Sequence, residues 1–241
     1  MKRIVIIKTG GKIPTLADVE GDYEDWIAGG LGEIAYPITV VDVEGGQALP
    51  LISEVAAIVI TGSASMVTEH TGWMEKSASW IRQAVAQSVP LLGICFGHQL
   101  LAYALGGDVG YNPRGLEVGT ATIRLTAEAR QDPLFNTMPG EFFAQVSHRQ
   151  SVLCLPTGAR LLASSEMDPH QAFSYGASAW GVQFHPEFDA CIIRRFIEYY
   201  QQRLLEAGDS AQRLLAEVSE SPHSASLLRR FARIVVNSAR A

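Results

Sequence analysis

Cysteine is scarce in this sequence, which has three cysteines in 241 residues. Cys95, Cys154 and Cys191 are odd in number, lie far apart and form no C-x-x-C pair. This excludes a disulfide-stapled miniprotein, because such scaffolds need several closely spaced cysteines. The spacing also matches no metal-binding pattern. We therefore predict no metal site, and a reducing, cytoplasmic location.

Long hydrophobic runs are absent as well. Only four apolar residues separate the opening M-K-R from Lys8, whereas a signal peptide has an apolar stretch of roughly 7–15 residues. No run approaches the ~18 apolar residues of a membrane span. We therefore expect no export signal and no membrane association, and we interpret the start of the chain as a first strand.

Basic charge is limited too. The 19 Lys and Arg residues are outnumbered by 25 Asp and Glu residues, which gives a formal net charge of −6. A bulk basic surface for nucleic acid is thereby excluded. The sequence has no G-x-G-x-x-G motif and no phosphate-binding loop, so nothing in it indicates nucleotide binding. We therefore predict no cofactor.

The chain has 241 residues, of which 47% are hydrophobic. This length and hydrophobic content suffice for one sizeable α/β domain. Continuous apolar runs alternate with segments of helical periodicity in the first half. This pattern is typical of a doubly wound, mainly parallel sheet with helices on both faces. The predicted strands of this half are residues 4–7, 38–43, 55–60 and 89–94, and the predicted helices are 15–31, 73–87 and 97–105.

The second half is richer in strands and ends in helices. Strands are predicted at residues 118–125, 141–147, 161–164, 171–174 and 179–184, followed by a helix over 189–206. After Gly208 come two further helical stretches, the last beginning at Ser221 and Pro222, a typical N-cap and first-turn pair. We therefore divide the chain into a domain, residues 1–207, and a C-terminal helical extension, residues 208–241. The apolar stripe of the last helix is expected to pack on its own domain.

The sequence G-I-C-F-G at residues 93–97 predicts a nucleophile. It lies where a buried strand meets a helix, and small residues two places on either side of Cys95 permit the sharp, strained turn that exposes a nucleophile in G-x-S-x-G elbows. The helix N-terminus also favours an anionic thiolate. The alternative is a buried structural cysteine in an accidental match.

A thiol nucleophile needs a general base, and the base needs a group that orients it. His185 and Glu187 follow a predicted strand, and residues two apart in an extended segment project to the same side. Glu187 can therefore hold His185, with Pro186 fixing the backbone between them. Both this segment and Cys95 fall at the carboxyl ends of predicted strands, where open α/β sheets place their sites.

Taken together, G-I-C-F-G-H-Q-L at 93–100 and V-Q-F-H-P-E at 182–187 resemble the class I (triad-type) glutamine amidotransferase family. The similarity extends over roughly residues 3–200 and includes T-G-S at 61–63 and S-H at 147–148. Within the family, the chain is most similar to stand-alone proteins related to the amidotransferase domain of GMP synthase. The resemblance implies a flavodoxin-like α/β fold and a glutaminase activity.

The resemblance also implies roles for individual residues. Cys95 would attack the side-chain amide of glutamine and form a thioester, with His185 as base and Glu187 orienting it. The backbone N–H groups of Gly62 and Phe96 would hold the oxyanion. Four further residues would contact the substrate: Gln99, Ser147, His148 and Arg149. At the position of Arg149, GMP synthase relatives usually have glycine.

The remaining histidines and cysteines receive structural interpretations. His98 is predicted to be a packing partner, although it follows the nucleophile closely. His148 has no carboxylate two residues later, so it is the weaker candidate for the base. Cys154 and Cys191 are interpreted as small apolar fillers.

Three functions remain open from the sequence. The first is a glutamine amidotransferase that releases ammonia to an unknown acceptor or to a synthetase partner in trans. The second is a stand-alone γ-glutamyl peptidase, because the same triad cleaves any γ-glutamyl amide whose leaving group fits. The third is a non-catalytic binding or regulatory module on the same fold, against which the joint presence of Cys95, His185 and Glu187 argues. Each uses a small-molecule ligand, and the oligomeric state is not predicted.

Overall fold

A nine-stranded sheet forms the centre of the computed structural model, which describes residues 2–238. Its strand order is β2-β1-β3-β4-β11-β10-β9-β6-β7, and β5 and β8 form a separate two-stranded sheet. The strands are β1 Arg3–Lys8, β2 Ile38–Asp42, β3 Val55–Ile60, β4 Leu91–Ile94, β5 Asp108–Tyr111, β6 Glu117–Leu125, β7 Glu141–His148, β8 Gln150–Cys154, β9 Ala159–Ser164, β10 Ala172–Tyr175 and β11 Ala179–Val182. The α-helices are α1 Tyr23–Leu31, α2 Gly72–Ala86, α3 Phe96–Ala104, α4 Ala190–Tyr199, α5 Gln201–Glu206, α6 Ala211–Glu217 and α7 Pro222–Ser238.

The sheet has a parallel half and an antiparallel half. Strands β2, β1, β3, β4 and β11 pair in parallel, and β10, β9, β6 and β7 extend the sheet antiparallel from β11. All four residues of β4 are buried, as expected for a strand covered on both faces. The predicted α/β fold with a mainly parallel centre is confirmed.

Helices cover both faces of the parallel half. Alternate residues of β1 point to opposite faces. Ile4 and Ile6 belong to the hydrophobic cluster that contains α1 and α7, whereas Val5 and Ile7 belong to the cluster that contains α2 and α3. The carboxyl ends of β3, β4 and β11, which are neighbours, therefore meet at one edge of the sheet between two helical layers.

The first predicted helix is wrong in its first half. The pattern predicts one helix over residues 15–31, but α1 begins only at Tyr23. Asp22 is extended and forms a reciprocal capping box with Asp25. Gly21 has a φ of 78°, a conformation that glycine adopts far more readily than other residues. These two features end any helix before residue 22.

Two further expectations need correction. Strands β5 and β8 were not predicted, and the helix predicted over 189–206 is interrupted at Tyr200, which has φ −92° and ψ 5° between α4 and α5. Cys154 and Cys191 are exposed, so they do not fill apolar space. A sequence pattern does not show that the partner of β8 is β5, because the two strands are about 40 residues apart.

The last helix, α7, packs into the main core. Leu227, Leu228, Phe231 and Val235 are at most 2% exposed and belong to the same cluster as β1 and α1. Phe231 also contacts Trp180 of β11 edge to face. The apolar stripe is thus buried within the chain itself.

Candidate active site

Cys95 lies on a strained turn between β4 and α3. Its backbone has φ 50° and ψ −102°, a left-handed conformation that costs free energy for a non-glycine residue. The flanking glycines have no room for side chains. A Cβ on Gly93 would lie 2.3 Å from the carbonyl oxygen of Gly97, and one on Gly97 would lie 2.5 Å from that of Ile60. The turn therefore requires glycine at both positions.

His185 and Glu187 form a buried pair just after β11. The Nδ1 of His185 lies 2.8 Å from Oε1 of Glu187, and the two side chains are 4% and 0% exposed. The imidazole stacks on the ring of Phe188 with a centroid distance of 3.9 Å. The backbone N–H of His185 donates to the carbonyl of Gln145 on β7. The ring is thus fixed on one face and at one nitrogen, and its Nε2 is left for the thiol.

Electrostatics favour the charged form of His185. Burial lowers the pKa of this imidazole, but the charges of Glu187 and Cys95 and the hydrogen bonds with both side chains raise the pKa of His185 from 6.5 to about 10. An imidazolium between a carboxylate and a sulfur is the arrangement that supports an anionic thiol nucleophile.

Gly62, which follows β3, lies directly beside this group. A Cβ at Gly62 would be 2.9 Å from Cε1 of His185 and 3.8 Å from Cβ of Cys95. Phe96 occupies the first position of α3, where a backbone N–H has no acceptor within the helix. The backbone N–H of Cys95, in contrast, donates to the carbonyl of Val182. The two predicted oxyanion donors thus belong to residues that adjoin Cys95.

Cys95 also lines a small pocket of about 30 Å³. The four predicted substrate-binding residues all line it, and so do two residues that sequence reasoning missed, Gln150 and Tyr200. The lining consists of Ser63, Ala64, Ser65, Met66, Cys95, Phe96, Gln99, Ser147, His148, Arg149, Gln150 and Tyr200. Larger hollows, such as one of about 720 Å³ between α1 and α7, lie away from the thiol. Gln150 was missed because strand β8 was not predicted, and Tyr200 was missed because the break between α4 and α5 was not predicted.

Gln99 is held by two hydrogen bonds. Its Nε2 donates to the carbonyl of Gln150 at 2.7 Å and to Oε1 of Gln183 at 2.9 Å. Both N–H donors of this amide are thereby used. Gln99 links the helix of the nucleophile to β8 and to the segment that carries His185.

His148 has a carboxylate partner that the sequence spacing did not show. Its Nε2 lies 2.7 Å from Oε2 of Glu117, which sits opposite His148 in the β6–β7 ladder. Its Nδ1 lies 2.9 Å from the carbonyl oxygen of Gln150. A carbonyl only accepts, so Nδ1 carries a proton, and the contact of Nε2 with a carboxylate makes His148 an imidazolium. The register between β6 and β7, once it is known, identifies Glu117 as the partner of His148.

Burial and pairing act in opposite directions on this imidazole. Burial lowers the pKa of His148, but the hydrogen bond and charge of Glu117 outweigh it and raise the pKa above 6.5. Glu117 also accepts hydrogen bonds from Ser165 and Gln171. His148 is therefore a buried part of the pocket wall, and its charge is paired with the carboxylate of Glu117.

His98 is fully buried on α3 and packs on the ring of Phe173 at a centroid distance of 5.0 Å. Burial lowers the pKa of His98 to about 4, so this imidazole is neutral near pH 7. Within residues 2–238, no group of three or more His, Cys, Asp or Glu side chains is arranged to hold a metal ion. In the same residues, no helix combines the length and the apolar content that crossing a membrane requires.

A cysteine on a strained turn beside a buried histidine–carboxylate pair is an arrangement that can activate a thiol nucleophile. The chain belongs to the glutamine amidotransferase class-I family, whose model matches residues 15–192. The expected family membership is confirmed.

Curated relatives include enzymes of two kinds. The chain is 32% identical over 165 residues to γ-glutamyl peptidase 5 of Arabidopsis thaliana, covering 68% of this chain and 66% of that protein. It is 36% identical over 135 residues to one subunit of the glutamine-hydrolysing GMP synthase of Methanocaldococcus jannaschii, covering 56% and 65%. It is 32% identical over 187 residues to the GMP synthase of Syntrophomonas wolfei, covering 75% and 35%. The chain thus spans about two thirds or less of the length of these relatives.

Solved structures share the fold. A glutamine amidotransferase from Thermotoga maritima has a TM-score of 0.76 and 24% identity, with coverage of 98% of this chain and 99% of that chain. One from Methylobacillus flagellatus has a TM-score of 0.73 and 24% identity, with coverage of 100% and 95%. At this identity the comparison establishes the fold.

Proposed function

We propose that this protein hydrolyses the side-chain amide of glutamine through a Cys95–His185–Glu187 triad. The observation that carries the proposal is the buried His185–Glu187 pair, which lies beside Cys95 and its strained strand-to-helix turn. Such a turn and such a pair have little structural use on their own, since both cost free energy in the folded chain.

The proposed reaction has two halves. The Cys95 sulfur attacks the amide carbon, and the backbone N–H groups of Gly62 and Phe96 hold the resulting oxyanion. His185 then gives its Nε2 proton to the leaving nitrogen, so the C–N bond breaks and ammonia departs, leaving a thioester. A water molecule attacks the thioester while His185 takes its proton. Glutamate leaves, and the thiolate of Cys95 and the imidazolium of His185 are restored.

The fate of the ammonia depends on an acceptor, either a small molecule or a synthetase partner in trans. One relative is named as a subunit of a glutamine-hydrolysing GMP synthase, which supports a partner. The proposed catalytic domain is residues 1–207, with residues 208–241 as a helical extension. The three free cysteines support a reducing, cytoplasmic location.

A second candidate function is γ-glutamyl peptide hydrolysis. It is favoured by the 32% identity to a γ-glutamyl peptidase, which covers 66% of that protein. The chemistry is the same except for the leaving group, which would be the amine of an amino acid or peptide instead of ammonia.

Kinetics of the purified chain distinguish these candidates. We expect it to release ammonia and glutamate from glutamine, with kcat/KM no more than about 10-fold below that for γ-glutamyl dipeptides. A preference for the dipeptides above ~10-fold reverses the ranking. The variant C95A is expected to lose about 1,000-fold or more in kcat/KM, whereas C191A, at an exposed cysteine, keeps the activity. Full activity of C95A would exclude this nucleophile.

Selective labelling tests for a glutamine site at Cys95 even if the purified protein has low activity on its own or is a non-catalytic module. A chloroketone analogue of glutamine is expected to modify Cys95 before Cys154 and Cys191, although those two are the exposed cysteines, and excess glutamine should protect Cys95. Peptide mass spectrometry that finds equal modification of all three, without protection, contradicts a glutamine site.

A further inference from the structure

Gly62 occupies a position at which a side chain cannot help to hold the backbone. A Cβ there would lie 2.9 Å from Cε1 of His185, so the space beside the imidazole requires glycine. Glycine is also the residue with the greatest backbone freedom. A rigid backbone at Gly62 therefore depends on contacts that other residues make with the two peptide groups that adjoin it.

Two buried threonines supply these contacts. Thr9 directly follows β1, Thr61 directly follows β3, and both are 0% exposed. The Oγ1 of Thr9 lies 3.1 Å from the carbonyl oxygen of Thr61 and 3.1 Å from that of Gly62. The Oγ1 of Thr61 lies 3.0 Å from the carbonyl oxygen of Gly62. The carbonyl groups on both sides of the Gly62 Cα are thus within reach of a hydroxyl donor.

The two hydroxyl groups have enough hydrogens for both carbonyl groups. The backbone N–H of Thr9 donates to Oγ1 of Thr61 at 3.1 Å, and the hydroxyl of Thr61 can in turn donate to the carbonyl of Gly62. The hydroxyl of Thr9 then donates to the carbonyl of Thr61, which also accepts from the backbone N–H of Gly97 at 3.2 Å. A fully paired network of this kind makes a buried segment rigid.

The carbonyl of Thr61 determines where the N–H of Gly62 points, because both belong to the same peptide group. In a planar trans peptide the C=O and the N–H point in opposite directions, and no peptide bond among residues 2–238 is cis. The N–H of Gly62 therefore points away from Thr9 and Gly97. It donates to no acceptor in the part of the chain that the structure describes.

We propose that Thr9 is a positioning residue for the oxyanion, because its hydroxyl fixes the peptide group that presents the N–H of Gly62. The inference rests on the proposed function, in which that N–H is one of two oxyanion donors. Thr9 does not line the pocket of Cys95, so it acts through Gly62. Displacing a group of the site by about 1 Å can lower the rate about 100-fold.

The test compares T9V, which removes the hydroxyl at nearly constant volume, with T9S, which keeps it. Both halves of the proposed reaction pass through an oxyanion. We therefore expect kcat for L-glutamine to fall about 10–100-fold in T9V, with KM changed by less than about 3-fold. T9S should keep kcat within about 3-fold of the wild type.

T126V is the matched control. The hydroxyl of Thr126 also donates to a backbone carbonyl, that of Leu161, at 2.8 Å, but Thr126 does not line the pocket of Cys95. T126V should therefore keep the kcat of the wild type. An unchanged kcat in T9V, or a loss in T9S as large as that in T9V, overturns the inference.

Alkylation of Cys95 by iodoacetamide separates positioning of the oxyanion donor from general support of the site. In this reaction the sulfur displaces iodide from a saturated carbon, so no oxyanion forms. Peptide mass spectrometry should find the alkylation rate of Cys95 in T9V within about 3-fold of the wild type, although kcat has fallen. Equal losses in alkylation and in turnover would show that Thr9 supports the thiol itself, which overturns the inference.

A simple aldehyde distinguishes a failure of this inference from a failure of the proposed function. If the wild type turns over no γ-glutamyl compound, that function fails, and propionaldehyde then tests Thr9 alone. The sulfur of Cys95 adds to the aldehyde carbon, and the aldehyde oxygen takes a proton from His185, which gives a thiohemiacetal. Protection of Cys95 against iodoacetamide should require about 10-fold more aldehyde in T9V than in the wild type. Equal protection of the two proteins, or no protection of the wild type, overturns the inference.

Discussion

At the scale of single residues, charge placement explains the proposed site better than exposure does. Cys95 is 5% exposed, whereas Cys154 and Cys191 are exposed on the surface. Cys191 also lies in the first turn of a helix, α4, but Cys95 alone combines a helix N-terminus with the buried His185–Glu187 pair. Because a thiolate is stabilised by both, we assign the reactivity to the least accessible of the three thiols.

The first residue-scale prediction concerns the pH dependence of catalysis. His185 must be protonated to release ammonia, and its pKa is about 10, so kcat/KM of the wild type should fall as the pH rises through about 10. In E187Q the carboxylate that stabilises the imidazolium is removed. The pKa of His185 then falls, and the alkaline limb should move to lower pH by about 1–3 units. A pH–rate profile in which this limb is unchanged contradicts the assigned pair.

The second residue-scale prediction concerns the other buried pair, His148 and Glu117. Because the folded pKa of His148 is raised, the pair stabilises the protein fully below the unfolded pKa of about 6.5, and this contribution is lost as the pH rises through the folded pKa. We therefore expect E117Q to lower the free energy of unfolding by about 3 kcal/mol near pH 6, and by less in alkaline solution.

Urea denaturation at several pH values measures this difference. The control E141Q removes an exposed carboxylate that is paired with Arg124, and it should change the free energy of unfolding by about 0.5 kcal/mol or less at any pH. A loss for E117Q that grows with pH would show that His148 is not an imidazolium in the folded protein.

At the scale of elements, α1 and α7 pack directly against each other. A Cβ at Gly30 would lie 2.3 Å from Cδ1 of Leu228, whereas one at Gly29 would meet no atom within 4 Å. Gly30 therefore leaves room for the side chain of Leu228, which would have to shift if a larger residue stood at this position. The adjacent Gly29 has no such role and only lowers the helix propensity of α1.

This contrast gives an element-scale prediction. G30A should lower the free energy of unfolding by about 1–3 kcal/mol through overpacking. G29A should raise it by about 0.5–1 kcal/mol, since alanine favours a helix over glycine. Thermal and urea denaturation of the two single variants checks both signs. Stabilisation by both substitutions would mean that α7 does not pack on α1 as described.

At the scale of the whole molecule, the C-terminal extension is part of the core. Leu227, Leu228, Phe231 and Val235 are buried in the hydrophobic cluster that also contains residues of α1, β1 and β7. Each such side chain contributes about 1.5–3 kcal/mol on burial, which together is comparable with the net stability of a typical domain. The helix is therefore an integral part of the hydrophobic core, although it follows the predicted domain in sequence.

The whole-molecule prediction follows. A chain truncated after residue 207 should lack cooperative thermal unfolding and should aggregate, because the truncation removes α7 and exposes the apolar face that α7 covers. Near-UV circular dichroism and a thermal scan measure this, with the chain truncated after residue 238 as the control. A cooperative transition for residues 1–207, with Cys95 still labelled selectively, would establish the extension as dispensable.

Local sequence determined the parts of this protein that depend on neighbouring residues. The turn at Cys95 follows from Gly93 and Gly97, and the His185–Glu187 pair follows from a spacing of two in an extended segment. Backbone sterics and side-chain direction act over a few residues, so a sequence pattern contains them. The alternation of apolar strands and helices likewise predicted the α/β fold.

Only the tertiary structure decided the rest. Glu117 meets His148 across 31 residues through the register of β6 and β7. Tyr200, at the break between α4 and α5, lines the pocket, and Leu228 of α7 packs against Gly30 of α1. Strand register and helix packing depend on contacts between residues that are far apart in sequence. No local pattern specifies which of these residues meet.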